Sequence, residues 1–219
     1  MNLTQDERNS HSEETMTRYE LATLSVAMGS AAKAAEAIAA YTTDTDAGGR
    51  LLGCWVSDIG ALNTIAVLRG FDDDAELLRE RERTLRSSSP FGCSEFLTRM
   101  SLDSYAPFPG LPPVETGEFG PVYEIRSYVM KTGGLAPTFE GWAEKLPART
   151  EISKLVIAMY ALDGVPRITH IWPYVSVNDR ARLRAESVQR GTWPPKSAVW
   201  LTPEMQSTIY LPTAVSPLR

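Results

Sequence analysis

The sequence is short of the residues that bind metals and cross-link chains: it has two cysteines, Cys54 and Cys93, and two histidines, His11 and His170, in 219 residues. Two cysteines cannot build a disulfide framework, and with so few histidines no ordinary four-ligand zinc site can be assembled. Both thiols are expected to be buried and reduced, which places the chain in the cytoplasm. No apolar run approaches the roughly 20 residues that a bilayer requires, and the polar, acidic opening lacks the apolar stretch of a signal peptide. Residues 1–16 are expected to be a disordered lead-in. Positive charge is scarce too, with 22 Lys and Arg against 27 Asp and Glu, a net charge of −5. Nucleic-acid binders need a basic stripe that releases counterions, so nucleic acid is not an expected partner. The one dense basic run, Arg79 to Arg86, is broken by Glu80 and Glu82 and reads as a solvated helix face. There is no phosphate loop, dinucleotide fingerprint, metal-spaced cluster or serine nucleophile elbow, so no cofactor is expected.

What the sequence does have is a repeat. Tyr19-Glu20-Leu21 recurs as Tyr123-Glu124-Ile125, an offset of 104 residues that also relates Gly29 to Gly133, Leu51 to Leu155, Pro90 to Pro194 and Phe96 to Trp200. Near the end the offset becomes 105, relating Met100, Tyr105 and Pro107 to Met205, Tyr210 and Pro212. Self-similarity at one fixed spacing is the mark of duplication. Between the copies Pro107, Pro109, Pro112 and Pro113 mark a stretch that cannot donate ladder hydrogen bonds. The expected organisation is a first repeat at 17–107, a linker at 108–118 and a second repeat at 119–219.

The second copy is the easier to read. Val122–Met130 is rich in β-branched and aromatic residues and ends at Lys131-Thr132-Gly133-Gly134, a strand and a turn. Leu135, Phe139, Trp142 and Leu146 then share one helical face, as core, with Pro147 as the expected stop. Lys154 to Leu162 and Arg167 to Val175 flank Asp163-Gly164 as a hairpin. Ser176 or Asn178 can cap a helix through Gln189, and a last strand fits Gln206 to Leu211. The first copy places its helices at Ser30 to Tyr41 and Asp73 to Ser87. The order strand, helix, strand, strand, helix, strand is the ferredoxin-like βαββαβ unit of an α+β protein. Helices cover one sheet face only, so the bare faces of two copies are expected to pair within one chain.

Several segments resemble the NIPSNAP family: Tyr123-Glu124-Ile125-Arg126-Ser127-Tyr128 followed by Lys131-Thr132-Gly133, then His170-Ile171-Trp172-Pro173-Tyr174 ahead of Asn178-Asp179-Arg180-Ala181-Arg182, and finally Leu211-Pro212 to Ser216-Pro217. The resemblance spans residues 119–217 and is weaker over 17–107. It implies a dimeric α+β barrel, here made by two tandem units, in a superfamily that includes cofactor-free monooxygenases, isomerases and cyclases.

Strand alternation puts Glu124, Arg126 and Tyr128 on one face of the first strand, and His170, Trp172 and Tyr174 on one face of a later one. So polar a face is expected to line the barrel interior and form a pocket for a hydrophobic, oxygenated small molecule. His170, the natural acid or base near neutral pH, is the expected catalytic residue with Glu124, Arg126 and Tyr174. Tyr128, Trp172, Glu20 and Leu68 are expected to bind substrate, Leu68 as first-copy counterpart of Trp172, beside Ala66 and Gly70 for His170 and Tyr174. A packing reading stands beside this one: Glu124 and Arg126 as a mutual ion pair, His170 as a hydrogen-bonded core residue, and a non-catalytic binding or interaction module. Pairing of two chains into a homodimer is compatible with either.

Overall fold

The structure, a computed structural model, describes residues 17–219, so the lead-in expected over 1–16 lies outside the described residues. The first unit runs β1 (Arg18–Val26), α1 (Ala31–Thr42), β2 (Arg50–Ile59), β3 (Thr64–Phe71), α2 (Asp74–Arg86) and β4 (Leu97–Pro107). The second repeats it as β5 (Val122–Met130), α3 (Leu135–Thr150), β6 (Ile157–Ala161), β7 (Arg167–Tyr174), α4 (Val177–Gln189) and β8 (Leu201–Pro212). Local chemistry explains the helix starts. Asp73 accepts a hydrogen bond from the Glu76 N–H to cap α2, and Ser176 accepts one from the Asp179 N–H to cap α4. In α2, Asp74 and Glu76 occupy the first turn, and Arg83 and Arg86 the last, as the helix dipole favours. Pro147 does not end α3, which continues to Thr150, because the helix carries one further turn past the missing donor.

The strands close into one antiparallel barrel in the order β1-β3-β2-β8-β5-β7-β6-β4. Each unit contributes four adjacent strands, and the units meet at two seams, β2 with β8 and β4 with β6. Both seams are short, with β2 meeting β8 only along Trp55–Ile59 and β4 meeting β6 only along Tyr105–Pro107. The barrel core draws on both units, with Tyr19, Trp55 and Leu68 facing Tyr123, Ile125 and Ile171. Separate apolar layers lie outside the barrel, one beneath α1 and the other beneath α3.

The proline-rich segment is packed against this body. The Phe108 N–H donates to the Ala158 carbonyl at 2.9 Å, and the Val114 N–H donates to the Tyr19 hydroxyl at 3.2 Å. Val114 and Leu218 both join the barrel core. Linker and carboxyl-terminal tail therefore close one mouth of the barrel.

The pairing corrects the relation between the copies in one strand. Arg18 faces Phe71 in the first unit, whereas its counterpart Val122 faces Tyr174 in the second, because the β6–β7 connection is one residue shorter than the β2–β3 one. The structural counterparts of His170, Trp172 and Tyr174 are therefore Val67, Arg69 and Phe71, not Ala66, Leu68 and Gly70. A slip of one residue turns a side chain to the opposite face. Leu68 accordingly sits in the barrel core, the counterpart of Ile171, and does not accompany the His170 cluster.

Candidate functional site

The six polar and aromatic residues expected inside the barrel lie together, but on the other side of the sheet. Trp172 and Tyr174 pack with Trp142 of α3 in the outer layer, and Glu124 is bonded to Arg180 of α4. The alternate residues Tyr123 and Ile125 fill the barrel, and Ser127 and Val129 line its cavity. A face this polar can be buried under helices because the helices bring its partners: Arg149 from α3, and Arg180 and Arg184 from α4.

Glu124 is fully buried. One of its oxygens accepts from Arg126, from Arg180 at 2.5 Å and from Ser207 at 2.6 Å, while the other lies 3.9 Å from Arg184. Burial alone would raise its pKa, but the Arg180 hydrogen bond and the Arg126 charge prevail and bring it down to about 2. Arg126 also donates to the Tyr128 hydroxyl. The Glu124–Arg126 ion pair, one of the two readings of the sequence, is thus present.

His170 is 3% exposed, and its ring meets those of Tyr128 and Trp142 edge-on, each at 5.1 Å between centroids. Its Nδ1 accepts the Trp172 indole N–H at 2.6 Å. The neutral ring therefore carries its proton on Nε2, which has no hydrogen-bond partner. Burial, reinforced by the positive Arg126, lowers its pKa to about 3. Burial thus keeps His170 a neutral hydrogen-bond donor at neutral pH.

That shift sets a pH dependence of stability. Between about 3, the folded value, and the ordinary 6.5, the unfolded chain binds a proton that folded His170 refuses. The stability is complete above 6.5 and is lost as pH falls towards 3, at about 1.4 kcal/mol per pH unit for one proton. Urea unfolding at pH 6 and pH 5, above the carboxylate range, is expected to show this slope in the wild type and a flat profile in His170→Gln; equal slopes would refute it.

Two recesses open over this layer. One, of about 270 Å³, is lined by Tyr128, Trp142, Ile168, Trp193 and Met205. The other, of about 440 Å³, is lined by Arg149, Arg184, Ser187, Gln189 and Trp193. They share Arg184, Val188 and Trp193 and form one continuous groove between α4 and the sheet. Trp193 stands edge-on to Trp142 at 4.8 Å, and Arg149 lies over the Trp172 ring at 4.4 Å. Sequence reasoning missed Trp193, Arg149 and Arg184; the arginine-rich helix after β7 was the signal available for Arg184.

The barrel holds a separate cavity of about 680 Å³, opposite the closed mouth. Its polar groups are mutually bonded. Ser127 and Thr169 share a hydrogen bond of 2.8 Å, Thr169 donates to the Tyr105 hydroxyl at 3.1 Å, and Arg167 pairs with Asp103 at 2.8 Å. Glu20 lines neither space; it is buried beneath α2, paired with Arg69 at 2.6 Å. Among the described residues no group of three or more His, Cys, Asp or Glu is placed to hold a metal ion, and no helix is long and apolar enough to cross a membrane.

Comparison with known proteins gives three findings. The family model described as NIPSNAP matches residues 19–102 and 123–217, which is both repeats. A NipSnap homologue of Dictyostelium discoideum is 27% identical over 149 residues, 67% of this chain and 66% of that protein. The chain spans less than two thirds of the length of the curated relatives it matches. Among solved structures, an anthrone oxidase-like protein superposes with a TM-score of 0.66 at 9% identity, covering 90% of this chain and 92% of the other. A Lactobacillus acidophilus protein provisionally named a monooxygenase superposes at 0.62 with 11% identity, covering 89% and 93%. At such identities the likeness is one of fold.

Proposed function

The chain belongs to the NIPSNAP family, and from that premise we propose that it takes a hydrophobic, oxygenated small molecule into the groove beneath α4 and acts on it without metal or nucleotide. The observation that carries this reading is the unpartnered His170 Nε2–H, on a ring that lines neither recess itself but packs edge-on against Tyr128 and Trp142, which wall the groove. A buried donor without a partner is costly, and a substrate carbonyl or enolate oxygen would supply one. Neutral His170 then polarises that oxygen, while Glu124 fixes Arg126 and Arg180 and keeps a positive field over developing negative charge. Isomerisation and cyclisation that begin with proton loss beside a carbonyl pass through such an enolate, and oxygenation of the same enolate would take dioxygen as its oxidant, a class with which the oxidase and monooxygenase names of the two structural neighbours agree. Tyr174 lines neither recess, and its proposed part is to orient Arg149, which does. The free, buried Cys54 and Cys93 support a reducing compartment such as the cytoplasm.

Quenching of tryptophan fluorescence by hydroxylated aromatic ketones, with product detection by mass spectrometry, tests this. His170→Ala is expected to weaken binding about 3- to 10-fold, the worth of one neutral hydrogen bond, and to abolish any turnover. Unchanged affinity in a folded His170→Ala protein would overturn the reading. Binding without product, lost in the same variant, would favour the non-catalytic module. The larger barrel cavity favours a second site for the ligand. Tyr105→Phe tests it, since it alters the cavity and leaves the groove intact.

A further inference from the structure

The two repeats act as an internal control for each other, because the same layer between sheet and helices exists in both. In the first repeat it is an electrically closed network. Glu20 and Glu80 face Arg69, Arg83 and Arg81, and Arg81 also pairs with Asp163. In the second repeat the balance is gone. Glu124 alone faces Arg126, Arg180 and Arg184. The shorter β6–β7 connection relates α4 to α2 by 103 residues, so Arg184 occupies the place of Arg81 and Leu183 that of Glu80: the cation is kept and a carboxylate is lost.

Arg149 adds a fourth cation to this layer. It is 3% exposed, and its Nε and Nη1 have no hydrogen-bond partner. Among the described residues no carboxylate lies within ion-pair distance of it. The Tyr174 hydroxyl lies near enough to act on it, and the Ser153 hydroxyl lies beside Tyr174, but neither makes a hydrogen bond of ordinary geometry. Buried charges are ordinarily paired, and a buried guanidinium with idle donors is a standing cost to the folded chain. Arg149 and Arg184 both line the larger recess, and this recess continues into the aromatic one along Trp193.

We propose that the groove binds an aromatic carboxylate, its anionic group held between Arg149 and Arg184 and its ring against Trp193 and Trp142. The inference rests on the groove being the ligand site and adds the charge and shape of what enters. A guanidinium fork receives a planar carboxylate through two parallel hydrogen bonds. Edge-on indoles beside it suit a flat ring rather than a sugar or a bare inorganic ion. The carboxylate then supplies the anion that the second repeat lost where Leu183 stands in place of Glu80, and the ring lies along Tyr128 and Trp142, the rings that His170 meets edge-on.

The test uses the full chain and two probes that differ only in charge, 2-naphthoate and 2-naphthamide, followed by tryptophan fluorescence and calorimetry. Wild type is expected to prefer the acid by about 10- to 100-fold, the range for charge-assisted hydrogen bonds. Arg149→Gln and Arg184→Gln are each expected to reduce that preference to a few-fold and to leave the affinity for the amide unchanged. Without ligand, Arg149→Gln should melt above the wild type, because it removes an uncompensated buried charge, and naphthoate should raise the wild-type melting temperature more than that of the variant. Equal binding of acid and amide overturns the anion inference and leaves the groove as the ligand site. Failure of both probes to bind overturns the groove and the inference together. Loss of both ligands to the same extent in Arg149→Gln, or a variant less stable than wild type, overturns the role given to Arg149.

Discussion

Glu124→Ala is expected to destabilise the chain by about 3–5 kcal/mol, the cost of breaking a buried ion pair and leaving its cations unpaired. Arg126 and Arg180 would each lose their close contact to a carboxylate oxygen, and Arg184 its more distant one. With Arg149 already unpaired, four guanidiniums would share one layer with no anion. Urea unfolding at pH 7 measures the loss, and a second variant gives it meaning: Glu124→Ala combined with Arg126→Met should recover part of it by removing one orphaned cation. Acid should reproduce the effect at a predictable place. Glu124 titrates at about 2 when folded against an ordinary 4.5, so its contribution is whole above 4.5 and is lost as pH falls through 2. A loss under about 1 kcal/mol in Glu124→Ala would mean that water screens the layer and that its charge imbalance is of no consequence.

The sequence told more about the elements than about what faces them. Repetition of Tyr-Glu, Gly and Pro at a constant spacing revealed the duplication, and β-rich runs ending at glycine turns located the strands, since both signals are local. The alternation along β5 and β7 also sorted Glu124, Arg126, Tyr128, His170, Trp172 and Tyr174 into one group, which the structure keeps together. The side of the sheet was not legible, because it depends on what the helices carry. Polarity looked incompatible with a helix-covered face only while Arg149, Arg180 and Arg184 were not counted as its partners. The equivalence of Leu68 with Trp172 failed for another reason: a connection one residue shorter shifts the counterparts of every side chain in β7 and α4, and insertions after α4 restore the overall spacing and hide it. Trp193 lies after α4 in no periodic segment, and nothing in its neighbourhood marks it as a wall of the groove.

Trp55→Ala is expected to cost about 3–5 kcal/mol, the range for emptying the place of a large core aromatic. Trp55 is fully buried in β2, yet its ring leans on that of Tyr123 in the other repeat, 5.2 Å between centroids. It therefore stands at the β2–β8 seam, where the units are joined by strand pairing, and fills the barrel between them. Gly53 makes room for it, since a Cβ there would overlap the indole. Gly53→Ala should consequently also destabilise, by about 1–3 kcal/mol, through overpacking and not through a void. Both effects are to be read in urea unfolding with far-ultraviolet circular dichroism and tryptophan fluorescence as parallel signals. If one core spans the repeats, the two signals of the wild type will coincide in a single transition and Trp55→Ala will move it to lower urea as one step. Separate transitions for the two signals, with only one of them displaced, would show that each repeat stands on its own outer layer and that the shared barrel core contributes little.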